Sequence, residues 1–139
     1  MELREIYETY TQTVAKVMAN ASAFDGIWGW GDDPKKNPCH MEFYEAVEQY
    51  LRRLLESQPS ETALFEAADW IIRTAADHRG TATYWYMFAV HGLCRDLVPL
   101  LTPEHCASLR DFYDDQYPRF DRMPVQKELY KSLKKRAKA

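Results

Sequence analysis

The sequence predicts an all-α fold, an irregular five- or six-helix bundle in a single helical domain that spans residues 1–139. Apolar residues recur three or four positions apart along nearly the whole chain, which places them on one face of an α-helix. No window alternates between apolar and polar residues over a useful length, so we expect no β-sheet. A chain of this size usually forms one domain with its own core.

The apolar stripes predict six helices, over about residues 2–21, 38–57, 61–79, 82–98, 103–117 and 124–137. Two of them begin at Asn37-Pro38 and Thr102-Pro103. In each pair the first residue can cap the helix, and proline suits the first helical position because its missing N–H has no partner there.

Other boundaries follow from single residues. Ser60 can cap the third helix, and Gly80 can end it in a left-handed conformation. Pro118 stops the fifth helix because proline cannot continue the hydrogen-bond pattern. Lys and Arg crowd the end of the sixth helix, where positive charge suits the helix dipole.

The fourth predicted helix, about residues 82–98, is the most informative. Residues 84–94 are apolar on all sides, and a helix that is hydrophobic all round is a buried one. We therefore expect it at the centre, with the other helices packed around it. Gly92 in its middle costs ~1 kcal/mol relative to Ala, which indicates the close approach of a neighbouring helix.

The composition indicates a cytoplasmic protein. The N-terminus is charged and no apolar run follows it, so we expect no signal peptide. The most apolar stretch, residues 84–94, is too short to cross a bilayer, so we expect no membrane contact. Three cysteines (Cys39, Cys94 and Cys106) form no CxxC pair and are odd in number, which is typical of reduced thiols.

Charge is distributed unevenly. Residues 122–139 hold seven Lys or Arg and one acid, whereas the rest holds eleven Lys or Arg and twenty acids. The acidic part repels phosphate backbones, so only the basic end could bind nucleic acid. Because Tyr130 is the single aromatic residue of that segment, it lacks a stacking surface for bases. We predict no nucleic-acid partner and a last helix that docks on the body.

The long connection over residues 22–37 carries Trp28 and Trp30 among three glycines. Loops of this length in compact domains are often functional, and tryptophan supplies a large contact area. The loop is either a lid or recognition loop, or a plug whose tryptophans pack inward. Asp32 and Asp33 are either cation ligands or part of a solvated turn.

Two histidines and one cysteine are the candidates for chemistry. Cys39 and His40 fall in the first turn of the second helix, where the helix dipole favours a thiolate. Adjacent helical residues diverge, so they form no dyad by spacing. His91 is the one readily titrating group in the apolar run, and it needs a Tyr hydroxyl or a carboxylate as partner. It is either a ligand or general base in a pocket, or a satisfied core residue.

No cofactor or metal is expected. Each cysteine has a histidine nearby in sequence, but no second pair completes a set of four ligands. The chain contains no glycine-rich phosphate loop, nucleophile elbow or zincin motif.

The residues leave the function open and favour a small interaction module rather than an enzyme. In this interpretation loop 22–37 binds another protein or a second copy of the chain. The alternative is a small-molecule-binding or hydrolytic protein with a pocket under the Trp28/Trp30 loop. The candidate binding residues are Trp28, Trp30, Asp32, Asp33, His40 and His91.

Overall fold

The computed structural model describes residues 2–20 and 38–139, and of residues 17–20 and 38 it describes the backbone alone. These ranges contain six α-helices, two 3₁₀ segments and no strand, which confirms the all-α prediction. The helices are α1 (Leu3–Asn20), α2 (Pro38–Glu56), α3 (Glu61–Ala76), α4 (Tyr84–Ala89), α5 (Pro103–Gln116) and α6 (Pro124–Ala137), and the 3₁₀ segments are Val90–Leu100 and Arg119–Asp121. None of these helices is long and apolar enough to cross a membrane.

The chain groups into two compact units, Met1–Tyr50 and Leu51–Ala139, called here the N-terminal and C-terminal units. The boundary lies inside α2, and the prediction of a single domain over residues 1–139 stays a prediction. In the N-terminal unit α1 and the first half of α2 contact each other through aromatic rings. The Tyr10 ring stacks on that of Phe43 with centroids 4.1 Å apart, and Tyr7 meets Phe43 edge-on at 4.9 Å.

The C-terminal unit packs around the chain from α4 to the end of the Val90–Leu100 segment. This stretch contacts α3 and α6. Its inward side chains are buried: Met87, Phe88, Val90, His91, Cys94, Leu97 and Val98. The expected buried central element is therefore present in this unit.

Two details of this central element differ from the prediction. The α-helix ends at Ala89 and the chain continues as a 3₁₀ helix to Leu100. Its two ends are also not buried all round, since Trp85 is 48% exposed and Leu100 is 51% exposed. Pro99 removes a backbone donor and clashes with the carbonyl four residues earlier, so an α-helix could not extend regularly through it.

The expected close approach at Gly92 is confirmed. A Cβ atom built on Gly92 would lie 3.2 Å from the Cβ of Val125 on α6. This is tighter than ordinary van der Waals contact. Glycine is therefore the residue that lets the 3₁₀ segment and α6 approach at this point.

The helix boundaries follow the capping residues. The Ser60 hydroxyl accepts a hydrogen bond from the Ala63 N–H at 3.1 Å, as predicted. The Thr102 hydroxyl accepts one from the His105 N–H at the same distance. Gly80 has the expected positive φ of 79°, but α3 already ends at Ala76. The glycine therefore shapes the following turn rather than the helix end.

Replacing Phe88 by alanine should lower the free energy of unfolding by about 3–5 kcal/mol, because the cavity left in a packed core does not collapse fully. Phe88 is buried, and its ring lies 4.3 Å from that of Tyr84 and 5.4 Å from that of Tyr117. Urea denaturation measures the loss. Trp85→Ala on the same helix is the control and should cost clearly less, because that ring is half exposed. Equal losses for the two variants would contradict the central position of Phe88.

Candidate functional site

The predicted site residues are only partly described. Trp28, Trp30, Asp32 and Asp33 lie outside the described residues, so their binding roles stay predictions. His40 belongs to the N-terminal unit and His91 to the C-terminal unit. Each histidine is bonded to a tyrosine of its own unit.

His40 lies in the first turn of α2 and is buried. Its Nδ1 is 2.6 Å from the hydroxyl oxygen of Tyr10 on α1. Burial lowers the pKa of His40 to about 4. The imidazole is therefore neutral near pH 7, and its hydrogen bond to the Tyr10 hydroxyl joins α1 to α2.

Cys39 precedes His40 and lines a small cleft of about 170 Å³ between α1 and α2. Burial, together with the carboxylate of Glu42, raises the pKa of the thiol. The loss of solvation and the nearby negative charge both favour the thiol over the thiolate, which agrees with an inert cysteine. At neutral pH Cys39 is a thiol.

His91 has the predicted tyrosine partner. Its Nδ1 lies 2.5 Å from the Tyr113 hydroxyl oxygen and 3.4 Å from Nε2 of Gln126. Burial lowers the pKa of His91 to about 3, and the backbone carbonyl of Ile71 partly offsets this effect. Since Nδ1 accepts hydrogen bonds, the proton of the neutral ring is on Nε2. That nitrogen is buried.

The polar contacts around His91 extend through the core of the C-terminal unit. Gln126 is buried, and its side-chain oxygen accepts the Met123 N–H at 3.0 Å, which caps the start of α6. Burial raises the pKa of Tyr113 well above its usual range, so its hydroxyl keeps its proton. These contacts account for His91 as a core residue that joins helices, and a ligand or base role for it stays a prediction.

A third histidine pair, between His105 and Glu61, was missed by sequence reasoning. Nδ1 of His105 is 2.7 Å from Oε2 of Glu61, and its ring stacks on Phe65 with centroids 3.8 Å apart. The same Glu61 oxygen accepts the Thr102 N–H at 2.8 Å. Burial raises the pKa of Glu61, but these hydrogen bonds outweigh it and the pKa is lowered overall. Glu61 and His105 are 44 positions apart, so no local pattern connects them.

The Glu61–His105 pair joins the start of α3 to the start of α5. Cys106 follows His105 in the chain but does not form a catalytic dyad with it. Cys106 is buried, and its Sγ points toward the Val98 carbonyl at 3.9 Å. Burial raises the pKa of the Cys106 thiol to about 11. The thiol is therefore protonated and inaccessible near pH 7.

The turn between α5 and α6 holds the most exposed large apolar side chain among the described residues. Phe120 is 87% exposed at the centre of the Arg119–Asp121 segment. The turn is closed by a hydrogen bond of 3.0 Å from the Asp121 N–H to the Pro118 carbonyl. Sequence reasoning passed over it, because a single phenylalanine between charged residues fits no periodic pattern.

Arg122 holds this turn in place from beneath. Its guanidinium is nearly buried and donates to the backbone carbonyls of Tyr117 at 2.9 Å and Tyr113 at 3.2 Å. It also lies 4.4 Å from the centre of the Tyr130 ring, within the range of a cation–π contact. These contacts tie the end of the turn to the C-terminal part of α5, and Phe120 is presented to solvent between them.

Within residues 2–20 and 38–139, no three His, Cys, Asp or Glu side chains lie close enough to hold a metal ion. The expected absence of a metal and a cofactor stays a prediction. Comparison with protein-family models, curated proteins and solved structures finds no match to this chain.

The unfolding free energy should fall as the pH drops from about 6.5 toward 4, by up to ~1.4 kcal/mol per pH unit for each buried histidine. The pKa of His91 is about 3 in the fold and about 6.5 in an unfolded chain, so the unfolded state binds more protons in this window. Stability from this group is complete above pH 6.5 and is lost as the pH falls. His91→Gln should flatten the dependence, as measured by urea denaturation at several pH values.

Tyr113→Phe is the control for this measurement. It removes the hydroxyl that contacts His91 and should lower stability at pH 7 by about 1–3 kcal/mol. The slope between pH 6.5 and 4 should persist, because burial is the main cause of the shift. A slope that His91→Gln leaves unchanged would show that other groups, such as His40 and the carboxylates, produce the acid sensitivity.

Proposed function

We propose that the protein is a small protein-interaction module that binds another protein through the Phe120 turn, residues 118–122. The observation that carries this proposal is the 87% exposure of Phe120 on a backbone held by buried hydrogen bonds. Burying a phenylalanine side chain contributes roughly 1.5–3 kcal/mol, so an exposed ring is a large source of binding energy.

The contacts at the ends of the turn add to the support for this proposal. A side chain on a flexible loop loses conformational freedom when it binds, and that loss reduces affinity. Pro118 restricts the backbone before the turn, and Arg122 after it donates a hydrogen bond to the Tyr117 carbonyl. Arg119 and Asp121 flank the ring as exposed charges, so the turn has the apolar centre and polar rim found at binding hot spots.

Other exposed apolar side chains in this unit support the proposal less strongly. Trp85, Leu100 and Val125 are each exposed by about half or less, well below Phe120. Scattered exposed residues of this kind are normal on a soluble surface. Loop 22–37 remains a second predicted contact surface, and the alternative of a pocket under Trp28 and Trp30 likewise stays a prediction.

Phe120→Ala should leave the melting temperature unchanged within a degree or two, since the exposed ring contributes little to packing, and should weaken partner binding about ten-fold or more. Immobilised wild type, Phe120→Ala and Leu100→Ala are compared by quantitative mass spectrometry of captured proteins. Leu100→Ala is the control because it removes another exposed apolar side chain of the same unit.

Sedimentation velocity over a range of concentrations tests whether the partner is a second copy of the chain. The proposal requires a partner that the wild type and Leu100→Ala retain and Phe120→Ala loses. If all three proteins capture the same partners in equal amounts and sediment alike, the Phe120 turn is not the binding surface.

A further inference from the structure

A cleft of about 680 Å³ opens in the C-terminal unit between the Val90–Leu100 segment and the last turns of α6. This volume is typical of sites for small molecules. Its lining includes Arg95, Asp96, Val98, Ser132, Lys135 and Arg136. The cleft does not include the Phe120 turn, so it is independent of the proposed interaction surface.

Positive charge dominates this cleft. Arg95 comes from the 3₁₀ segment, whereas Lys135 and Arg136 come from α6, so cations from two elements face one space. Asp96 is the single acidic side chain among the residues that line it. Concave surfaces lined by one sign of charge concentrate ions of the opposite sign. The expected ligand is therefore an anion.

The cations are available for a ligand. The Arg136 Nε–H donates to the Leu101 carbonyl at 3.0 Å, which fixes the guanidinium and leaves its two terminal nitrogens for other acceptors. Nη2 of Arg95 is 3.8 Å from Oε2 of Glu128, and both side chains are more than half exposed. Such an exposed ion pair contributes little to stability, so its two side chains separate readily. Lys135 has no ion pair with the carboxylates that the structure describes.

Compensation of the α6 helix dipole explains only part of the positive charge in the cleft. The C-terminal carbonyls of a helix carry about half a negative charge, and lysine or arginine in the last turn compensates for it. Lys135 and Arg136 already exceed that amount, and Arg95 adds a further charge from a different element. The positive field also extends inward, since Arg136 acts to lower the pKa of Cys106 against the effect of burial.

The other residues that line the cleft indicate which class of anion it binds. Val98 and Pro99 provide an apolar wall, and Ser132 offers a hydroxyl donor beside the cations. Arginine binds phosphate with paired hydrogen bonds, and lysine adds a point charge. We propose that this cleft binds a small organic phosphate, with its phosphate on Arg95, Lys135 and Arg136 and its apolar part against Val98 and Pro99.

The test uses phenyl phosphate as the probe and phenol as the same ring without the anion, with binding followed by isothermal titration calorimetry and by backbone amide NMR shifts. Phenyl phosphate should bind with a dissociation constant in the millimolar range or tighter. It should shift the amides of Ser132 and Arg95, and phenol should not. Lys135→Gln and Arg95→Gln should each weaken binding roughly five-fold.

Lys131→Gln is the matched control, because it makes the same charge change one turn earlier on α6, outside the cleft. It should change binding less than about two-fold. Thermal melting verifies that each variant is folded, and Arg136→Gln is avoided because it also removes the hydrogen bond to Leu101.

Three outcomes would overturn the proposal. The first is the absence of phenyl phosphate binding at millimolar concentration. The second is an equal loss of binding in Lys131→Gln and Lys135→Gln, which indicates diffuse attraction to the whole basic face of α6. The third is tighter binding of a mixed-sequence RNA oligonucleotide that Lys131→Gln weakens as much as Lys135→Gln, since that assigns the surface to nucleic acid.

Discussion

An imidazole cut off from water needs polar partners, and in the C-terminal unit His91 receives them from neighbouring helices. The Tyr113 hydroxyl reaches it from α5 and the Gln126 amide from α6. Both helices must therefore lie at fixed distances from the Val90–Leu100 segment. Unpaired polar groups are costly in a low-dielectric core, so a packing that separates His91 from these partners is unfavourable. Apolar contacts alone would discriminate less between alternative packings of the three elements.

Tyr113 links this buried network to the protein surface. Its hydroxyl bonds to His91 in the core, while its backbone carbonyl accepts a hydrogen bond from Arg122. Arg122 in turn holds the turn that exposes Phe120. The proposed binding turn is thus connected to the buried network through the Arg122 side chain and the Tyr113 backbone. A substitution of the Tyr113 side chain removes the contact to His91 but keeps the carbonyl that accepts from Arg122. A substitution at Phe120 should affect the surface alone.

Most helix boundaries could be predicted from sequence to within three residues, because apolar spacing and caps such as Ser60 and Thr102 are local signals. The exception is the fourth helix, whose α-helical part ends at Ala89 and not near residue 98. A polar partner of His91, either a tyrosine or a carboxylate, was predicted because burial demands one, but the sequence did not indicate that the partner is Tyr113. The 3₁₀ conformation after Ala89 depends on packing and was missed. Pairs such as Glu61 with His105 also join distant positions, and no single sequence shows which residues meet across helices.

The two proposed surfaces differ in whether their cations are buried or exposed. At the Phe120 turn, the cation of Arg122 is almost buried and satisfied by carbonyls and aromatic rings, so it organises the backbone and is unavailable to a ligand. At the cleft, Arg95 and Lys135 are exposed and weakly paired, so they remain available. The last helix takes part in both, since Tyr130 near its middle packs against Arg122 and Lys135 near its end lines the cleft. The last helix therefore contributes an aromatic ring to the support of the Phe120 turn and cations to the proposed anion-binding cleft, about one helical turn further along.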